Sequence, residues 1–596
     1  MPRPFMLHLH YAANGGLAPV QEALFSDTRI AVTTGGLFPA PRLHRLEQSV
    51  LVLAGHPIAS GQRDDASVVA AFRRAGSVEA FSRGLNGSFI ILIYDLASGD
   101  LRIINDRFSG LALYVAADNG HVVAGTDFRK VLRHKRQAGG GRVDPVQVWS
   151  LLALRRLLGE DTLAEGVQYL RSASILTLTA AGSTEQSQYW QPNLSGHAAG
   201  GAALVDAIAQ RLEAAVQQHM SDPRRHGLLL SGGLDSRAII AAADTPPTCI
   251  TTCLTRNNEF AVAAEVASIA GAQHHFIPRP EAPHDGCLDE AAALAAMQVY
   301  NETQFMGYGP AIAPLADVVM IGLGLDIFFG GLYLPKKPTA FLGREGLHHR
   351  LLPLPADLAD FYLGTVKYRL RTSDPASVLR PDARQRLRDG LRSKVEAILE
   401  RGRGLGGSGY GLWEYMHVHN LSRHYSFPMM TSVRTFVECR APGLDNDLFD
   451  LALKMTAADK CDGTPYQRAI ARLNPAMMRV RNANTNLPAG WPLRTQTVAK
   501  AASFAFPWLP GMARRSPAWT DRSWPLPRTV LAHSPHILAR AETLPDSAVL
   551  HQAGIFDPGA IRSILDEHKS GRADHAVLIN LLLTVDSVLQ AEYGDE

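Results

Sequence analysis

The stretch LLLSGGLDSRAII (residues 228–240) ends a very apolar run in a tight turn that carries an acid. Gly232 and Gly233 let a ligand come close to the backbone, and Ser231 and Ser236 add hydroxyls. The helix predicted to follow points its free N–H groups and positive dipole end at the turn. A phosphate would be stabilised there, yet Asp235 would repel it unless a divalent cation lay between them, so the turn implies Mg²⁺. No lysine of the Walker type is present, which excludes the usual NTPase loop. A second apolar strand, MIGLGLDIFFGG (320–331), again runs into glycines and an acid, Asp326. If both strands share one sheet, Asp235 and Asp326 reach the same edge and can hold one metal–pyrophosphate group.

The elements around these turns alternate. From about residue 200 the pattern reads helix 203–220, strand GLLLS, helix LDSRAIIAAAD, strand TCITTCLT, helix AVAAEVASIAGA, strand HHFIPR, helix CLDEAAALAAMQVY and strand DVVMIGL. Short apolar strands between such helices indicate a parallel sheet covered on both faces, with ligands outside the strands' carboxyl ends. Before about residue 190 the chain is β-rich. Runs such as QSVLVLAGHPIAS and GSFIILIYDLASGDLRIINDR are punctuated by turns such as ASGD and ADNG. Beyond residue 335 it reads as mostly helical, broken by RGRGLGGSGYG (401–411) and a Pro/Trp-rich stretch (506–527). The boundary is set at 195/196, giving an α+β first domain (1–195) and an α/β domain with a largely helical C-terminal part (196–596).

Bulk properties narrow the class. A chain of 596 residues with 46% hydrophobic and 19% charged residues is a soluble, multidomain composition. A net charge of +3 is too small at this length to indicate nucleic acid as a bulk partner. The start lacks a secretory apolar core, and residues 317–335 carry Asp317 and Asp326, so neither a signal peptide nor a membrane span is expected. Five scattered cysteines indicate reduced thiols, a cytoplasmic location and no zinc site.

The motif SGGLDS is similar to the pyrophosphate-binding loop of the PP-loop ATP pyrophosphatases. More narrowly, the chain resembles asparagine synthetase-type enzymes, in which a class II glutamine amidotransferase-like β-sandwich with helices precedes an adenylating domain. The segment 85–116 resembles that first domain's strand pair with its Asp-Arg turn, and GTDFRKVL its following segment. IGLGLDIFFGG and FVECRAPGLDNDLFDLAL (436–453) resemble synthetase motifs. The resemblance implies an α/β PP-loop domain in which ATP and pyrophosphate contact Leu230, Ser231, Gly232, Gly233, Asp235, Ser236, Arg237, Thr252, Gly322 and Asp326. Asp235 and Asp326 would be the Mg²⁺ ligands.

Departures from the family pattern carry the functional expectation. A glutaminase of this class uses an N-terminal cysteine, but residue 2 is Pro2 and no cysteine precedes Cys249. The glutamine-binding turn is replaced by AGHPIAS near residue 54, and two motif glutamates are replaced by Leu323 and Ile327. The first domain thus reads as a retained scaffold, and the amine must come from the substrate. Two branches of the family meet that description: β-lactam synthetases and lasso peptide cyclases. Arg237 and the long insertion 335–435 favour the second. Its implied partners are a ribosomal core peptide, a leader-removing cysteine protease and a leader-binding protein. A small-molecule amide synthetase and a non-catalytic nucleotide- or peptide-binding scaffold are the alternatives. For the cation facing the oxyanion the candidates are Arg481 or Arg479, and for the base Glu438 or His424. Glu438 also has a structural reading, as an ion pair with Arg440. The basic run between Lys336 and Arg403 reads as a solvated helix face.

Overall fold

The computed structural model describes residues 5–18, 20, 22–195, 200–341, 344–366, 373–505 and 523–590. Most of the Pro/Trp-rich stretch, residues 506–522, lies outside the described residues.

The first part is a sandwich of two six-stranded antiparallel sheets. Its longest strands, Ser49–Ala59 and Leu85–Asp95, pair along their whole length. Strand periodicity sorts their side chains. Val50, Val52 and Ala54 join the core between the sheets, whereas Leu51 and Leu53 join a second core beneath the helices Asp65–Arg74 and Val78–Arg83. The turns follow the sequence closely. Asp95 Oδ1 accepts the N–H groups of Ala97 (2.9 Å) and Ser98 (2.8 Å), and Asn119 and Gly120 both take positive φ in the two-residue ADNG hairpin. A strand not expected from the sequence, Leu7–Ala12, runs in the middle of the other sheet. All of AGHPIAS but its last residue, Ser60, lies within the strand Ser49–Ala59. His56 there is buried, and its ring meets that of His219.

The second part holds a five-stranded, all-parallel sheet. Its order is His274–Pro278, Thr248–Cys253, His226–Leu229, Val318–Met320, Glu438–Arg440. The chain starts in the middle, moves to one side, then returns to the other, so the order reverses at His226–Leu229. That reversal opens a crevice at the carboxyl ends of His226–Leu229 and Val318–Met320.

Three expectations need correction. The segment after 335 begins as an antiparallel hairpin, Lys336–Phe341 with Arg344–Leu351, before the helices resume. Lys336 is not solvated there, since its ammonium donates to the carbonyls of Gly330 (3.1 Å) and Cys461 (2.6 Å). The helix expected over 287–300 ends at Leu294, because Ala296 and Met297 turn left-handed. Packing also runs across the 195/196 boundary. The helix Ala576–Leu589 packs on Phe128–Gln137 and Pro145–Leu154, and its apolar residues belong to the sandwich's own core. All five cysteines are free thiols, and no described helix is long and apolar enough to cross a membrane.

A buried charge cluster locks the two parts together. Glu438 accepts from Arg440 Nε (2.6 Å), Arg224 Nη1 (2.7 Å) and, across the domain boundary, Arg63 Nη2 (3.1 Å). Asp222 takes the other ends of Arg440 and Arg224. Burial alone would raise the Glu438 carboxyl, but Arg440, Arg224 and Arg63 together hold it below the usual carboxylate range. A carboxyl depressed in the fold stabilises it above its unfolded pKa of about 4.3 and loses that contribution as pH falls further. Glu438→Gln should therefore cost about 3 kcal/mol in denaturant unfolding at neutral pH, by leaving Arg440 and Arg63 short of a counter-charge. The deficit should shrink when the unfolding is repeated below pH 4.

Candidate functional site

The crevice is built by two strand ends and two turns. After Leu230 the chain turns through Ser231–Leu234 into the helix Asp235–Ala241. Ser236 closes this turn: its hydroxyl accepts the Ser231 N–H (3.0 Å) and meets Ser231 Oγ at 3.1 Å. Gly233 N–H donates to Ser231 Oγ at 3.3 Å. On the neighbouring strand, a Cβ at Gly322 would stand 2.7 Å from Asp235 Cβ, so only glycine lets the two turns meet. Gly324 then adopts φ +101°, which swings the chain into the short helix Leu325–Phe329 carrying Asp326.

The turns bring Asp235 and Asp326 together in a buried setting. Burial, and after it the charge of Asp326, pushes Asp235 well above the usual carboxylate range. Burial raises Asp326 to about 6. The partner of Asp235 is a hydroxyl, Tyr466 OH, at 3.0 Å. Among the described residues no arginine, lysine or histidine forms an ion pair with either acid. Two buried carboxylates that repel each other and face serine hydroxyls are a donor set suited to a hard divalent cation completed by phosphate or water oxygens. The described residues hold no cluster of three or more His, Cys, Asp or Glu side chains for a metal, so such a cation would depend on the ligand's oxygens as well.

A cavity of about 240 Å³ opens over this pair. Leu230, Ser231, Asp235, Ser236, Thr252, Gly322 and Asp326 all line it. Gly232 lies in the turn behind it, where a Cβ would meet Ala483 Cβ at 2.4 Å. Thr251, Glu259, Phe305, Leu323, Ser426, Met429 and Trp524 also line it, with strand-end apolar residues, and were not expected. Thr251 and Glu259 had a usable signal, being at the end of the second strand and in the first turn of the helix after it. Phe305, Ser426 and Met429 come from distant segments that only the tertiary fold brings in.

Four candidates fall elsewhere. The Arg237 guanidinium points away from the turn and is fully buried, donating to the carbonyls of Met477 (3.1 Å), Val480 (3.1 Å) and Arg481 (2.9 Å). It is therefore no phosphate ligand through its side chain; it fixes the loop after helix Pro475–Arg479. That loop touches the turn, since Ala483 N–H donates to Gly232 O at 3.1 Å. Arg481 is thus held near the site through its backbone, with its side chain half-buried, while Arg479 is exposed. Glu438 stands at the amino end of its strand, paired in register with Val318, at the opposite sheet edge from the acids. Its three guanidinium partners leave it unsuited to accept a proton. His424 lies in an adjoining cavity, where burial and then Arg156 lower it to about 3, so it too is a poor base near neutrality.

Comparison with known proteins agrees with this architecture. Residues 207–479 match the asparagine synthase family, and residues 48–190 match the glutamine amidotransferase domain. A putative asparagine synthetase [glutamine-hydrolyzing] of Mycobacterium tuberculosis (strain ATCC 25618 / H37Rv) is 25% identical over 297 residues, covering 46% of this chain and 44% of that protein. The carboxyethyl-arginine beta-lactam-synthase of Streptomyces clavuligerus is 24% identical over 310 residues, 50% of this chain and 56% of its own. The chain therefore spans about half the length of the curated relatives it matches. A solved structure of the glutamine phosphoribosylpyrophosphate amidotransferase from B. subtilis, complexed with ADP and GMP, covers 46% of this chain and 59% of its own at 10% identity. Its TM-score of 0.20 is too low to carry an argument. The chain thus carries a match to a glutamine amidotransferase domain followed by a match to asparagine synthase, and the second takes in both the SGGLDS turn and Asp326.

Proposed function

We propose that the protein is an ATP-dependent, AMP-forming amide ligase that closes a macrolactam in a ribosomal lasso peptide precursor. The observation that carries the ligase reading is the pair Asp235–Asp326, two buried carboxylates without a protein cation at the mouth of a parallel-sheet crevice. An unactivated carboxylate would have to expel oxide. Attack of a substrate Asp or Glu carboxylate on the α-phosphorus of ATP gives an acyl-adenylate, with pyrophosphate leaving onto the Ser231–Ser236 turn. Mg²⁺ held by Asp235 and Asp326 would neutralise the charge that develops on the leaving oxygens. The peptide's N-terminal amine then attacks the acyl carbon, and AMP leaves. Ser231 and Ser236 hydroxyls and the Gly233 N–H orient pyrophosphate, while Thr252 lines the same cavity. Arg237 holds the 477–483 loop against the turn, and Arg481 on that loop is the cation for the tetrahedral oxyanion.

The cyclising rather than ammonia-using chemistry is supported by the residues that stand in place of acids. Leu323 contributes an apolar wall to the cavity, and Ile327 is buried in the core. Neither can bind an ammonium ion. In this reading glutamine is not the nitrogen source, and the amidotransferase domain acts as a scaffold. A core peptide, a leader-removing cysteine protease and a leader-binding protein are the proposed partners, in the cytoplasm. The similarity to a β-lactam synthase favours a second reading, in which the same chemistry closes a ring in a small amino acid.

Incubation with ATP, Mg²⁺ and a core peptide should release AMP and pyrophosphate and lower the peptide mass by one water; AMP without that loss would move the assignment to a small substrate. Asp235→Ala and Asp326→Ala should each reduce AMP formation at least a hundredfold while leaving the melting temperature unchanged or higher, since each relieves a buried repulsion. Glutamine labelled with ¹⁵N in its amide should transfer no label to the product. Arg237→Met should destabilise the fold by about 2 kcal/mol in denaturant unfolding, because three buried carbonyls lose their donor.

A further inference from the structure

Beside the nucleotide cavity lies a second one, of about 230 Å³, lined by Arg155, Arg156, Arg423 and His424 with Leu332, Tyr333 and Tyr425. The two cavities are neighbours along the chain: Tyr425 lines one and Ser426 the other, and His424 Nδ1 accepts the Ser426 N–H at 3.2 Å. Arg155 is balanced by Glu302 at 2.5 Å. Arg156 and Arg423 have no such partner, although the Glu160 carboxylate acts on Arg423 from beyond ion-pair distance. Each is 3% exposed, and among the described residues neither forms an ion pair with a carboxylate. Arg156 donates to the Asn420 carbonyl (3.3 Å) and Arg423 to that of Asp161 (2.8 Å), with Arg423 stacked over Tyr169 at 4.6 Å. Arg156 Nε and both Nε and Nη1 of Arg423 are buried without a hydrogen-bond partner. The histidines nearby, His417, His419 and His424, are all pushed down by burial and then by Arg156, so they stay neutral. Two like charges thus line a partly open cavity with buried N–H groups left unfilled, an arrangement that an anion would complete.

We propose that Arg156 and Arg423 bind a carboxylate of the acceptor substrate, distinct from the one that is activated, with the substrate's adjoining apolar group against Leu332, Tyr333 and Tyr425. Guanidinium forks match a carboxylate in geometry, and the aromatic and aliphatic wall suits the carbon chain beside it. The two arginines come from different parts of the molecule. Arg156 lies in the glutamine amidotransferase match and Arg423 in the asparagine synthase match. The first domain therefore supplies half of an acceptor site, a role that needs no glutaminase. Assignment to the acceptor rests on the ligase reading above; the carboxylate site itself does not.

The test separates the two. Saturation-transfer NMR on the full chain, without ATP, compares 3-phenylpropionate with its neutral amide. The acid should bind at least tenfold more tightly than the amide. Arg156→Met and Arg423→Met should each remove that preference, while Asp235→Ala should keep it. Equal binding of acid and amide to the wild-type protein overturns the proposal, and it does so even if both methionine variants fail to fold. Displacement of the acid by inorganic phosphate at far lower concentration would also overturn the carboxylate assignment. With turnover established, a core peptide amidated at its C-terminus distinguishes the sources. A tenfold higher KM upon amidation identifies the terminal carboxylate. An unchanged KM that still rises in Arg423→Met identifies a side-chain carboxylate. A KM indifferent to both changes overturns the acceptor role. Acid-selective binding with no AMP formed from any substrate would sink the ligase reading and leave the site standing.

Discussion

The structure turns on the meeting of two acids that repel each other. Asp235 and Asp326 sit in the helix starts that follow two adjacent parallel strands, His226–Leu229 and Val318–Met320. A glycine at 322 is the geometric condition for that approach, since any side chain there would strike Asp235. The fold around them tolerates an arrangement that is unfavourable on its own, with one phenol as partner and no counter-ion from the described chain. Such pairs persist where a ligand completes them, and the serine-closed turn beside them supplies hydroxyl and amide groups of complementary character.

Arg237 shows how tightly this arrangement is tied to its surroundings. It begins in the SGGLDSR stretch but faces backwards, so the helix that closes the turn also anchors the 477–483 loop. The loop returns a hydrogen bond to Gly232. Turn, helix and loop are therefore one unit, and a change at any of them alters the shape of the others. A different lock, around Glu438, operates at the amino edge of the same sheet and fixes it to the sandwich. The acid pair and the domain clamp thus lie at opposite ends of the sheet's short strands.

Much of this was legible in the sequence because it depends on local rules. The turn residues, the strand and helix alternation, and the pairing of two Gly-and-Asp turns all follow from chain-local chemistry, and seven of the expected ligand-contacting residues line one cavity. What sequence could not give is direction. Arg237, Glu438 and His424 have side chains of suitable type, but their neighbours come from residues 477–481, 63 and 224, and 156. Those partners are remote in sequence and follow no period. The left-handed break at Ala296 and Met297 and the hairpin after 335 were missed for the same reason, since tertiary packing overrides an alanine-rich helical pattern and a basic one.

The helix Ala576–Leu589 has a consequence for how the molecule is made. It is the last described helix, yet its apolar residues complete the core of a sandwich built from the first residues. That sandwich is incompletely covered until residues 576–589 are in place. The two parts are therefore poor candidates for separation, since cutting the chain between them would strip the sandwich of one side of its core.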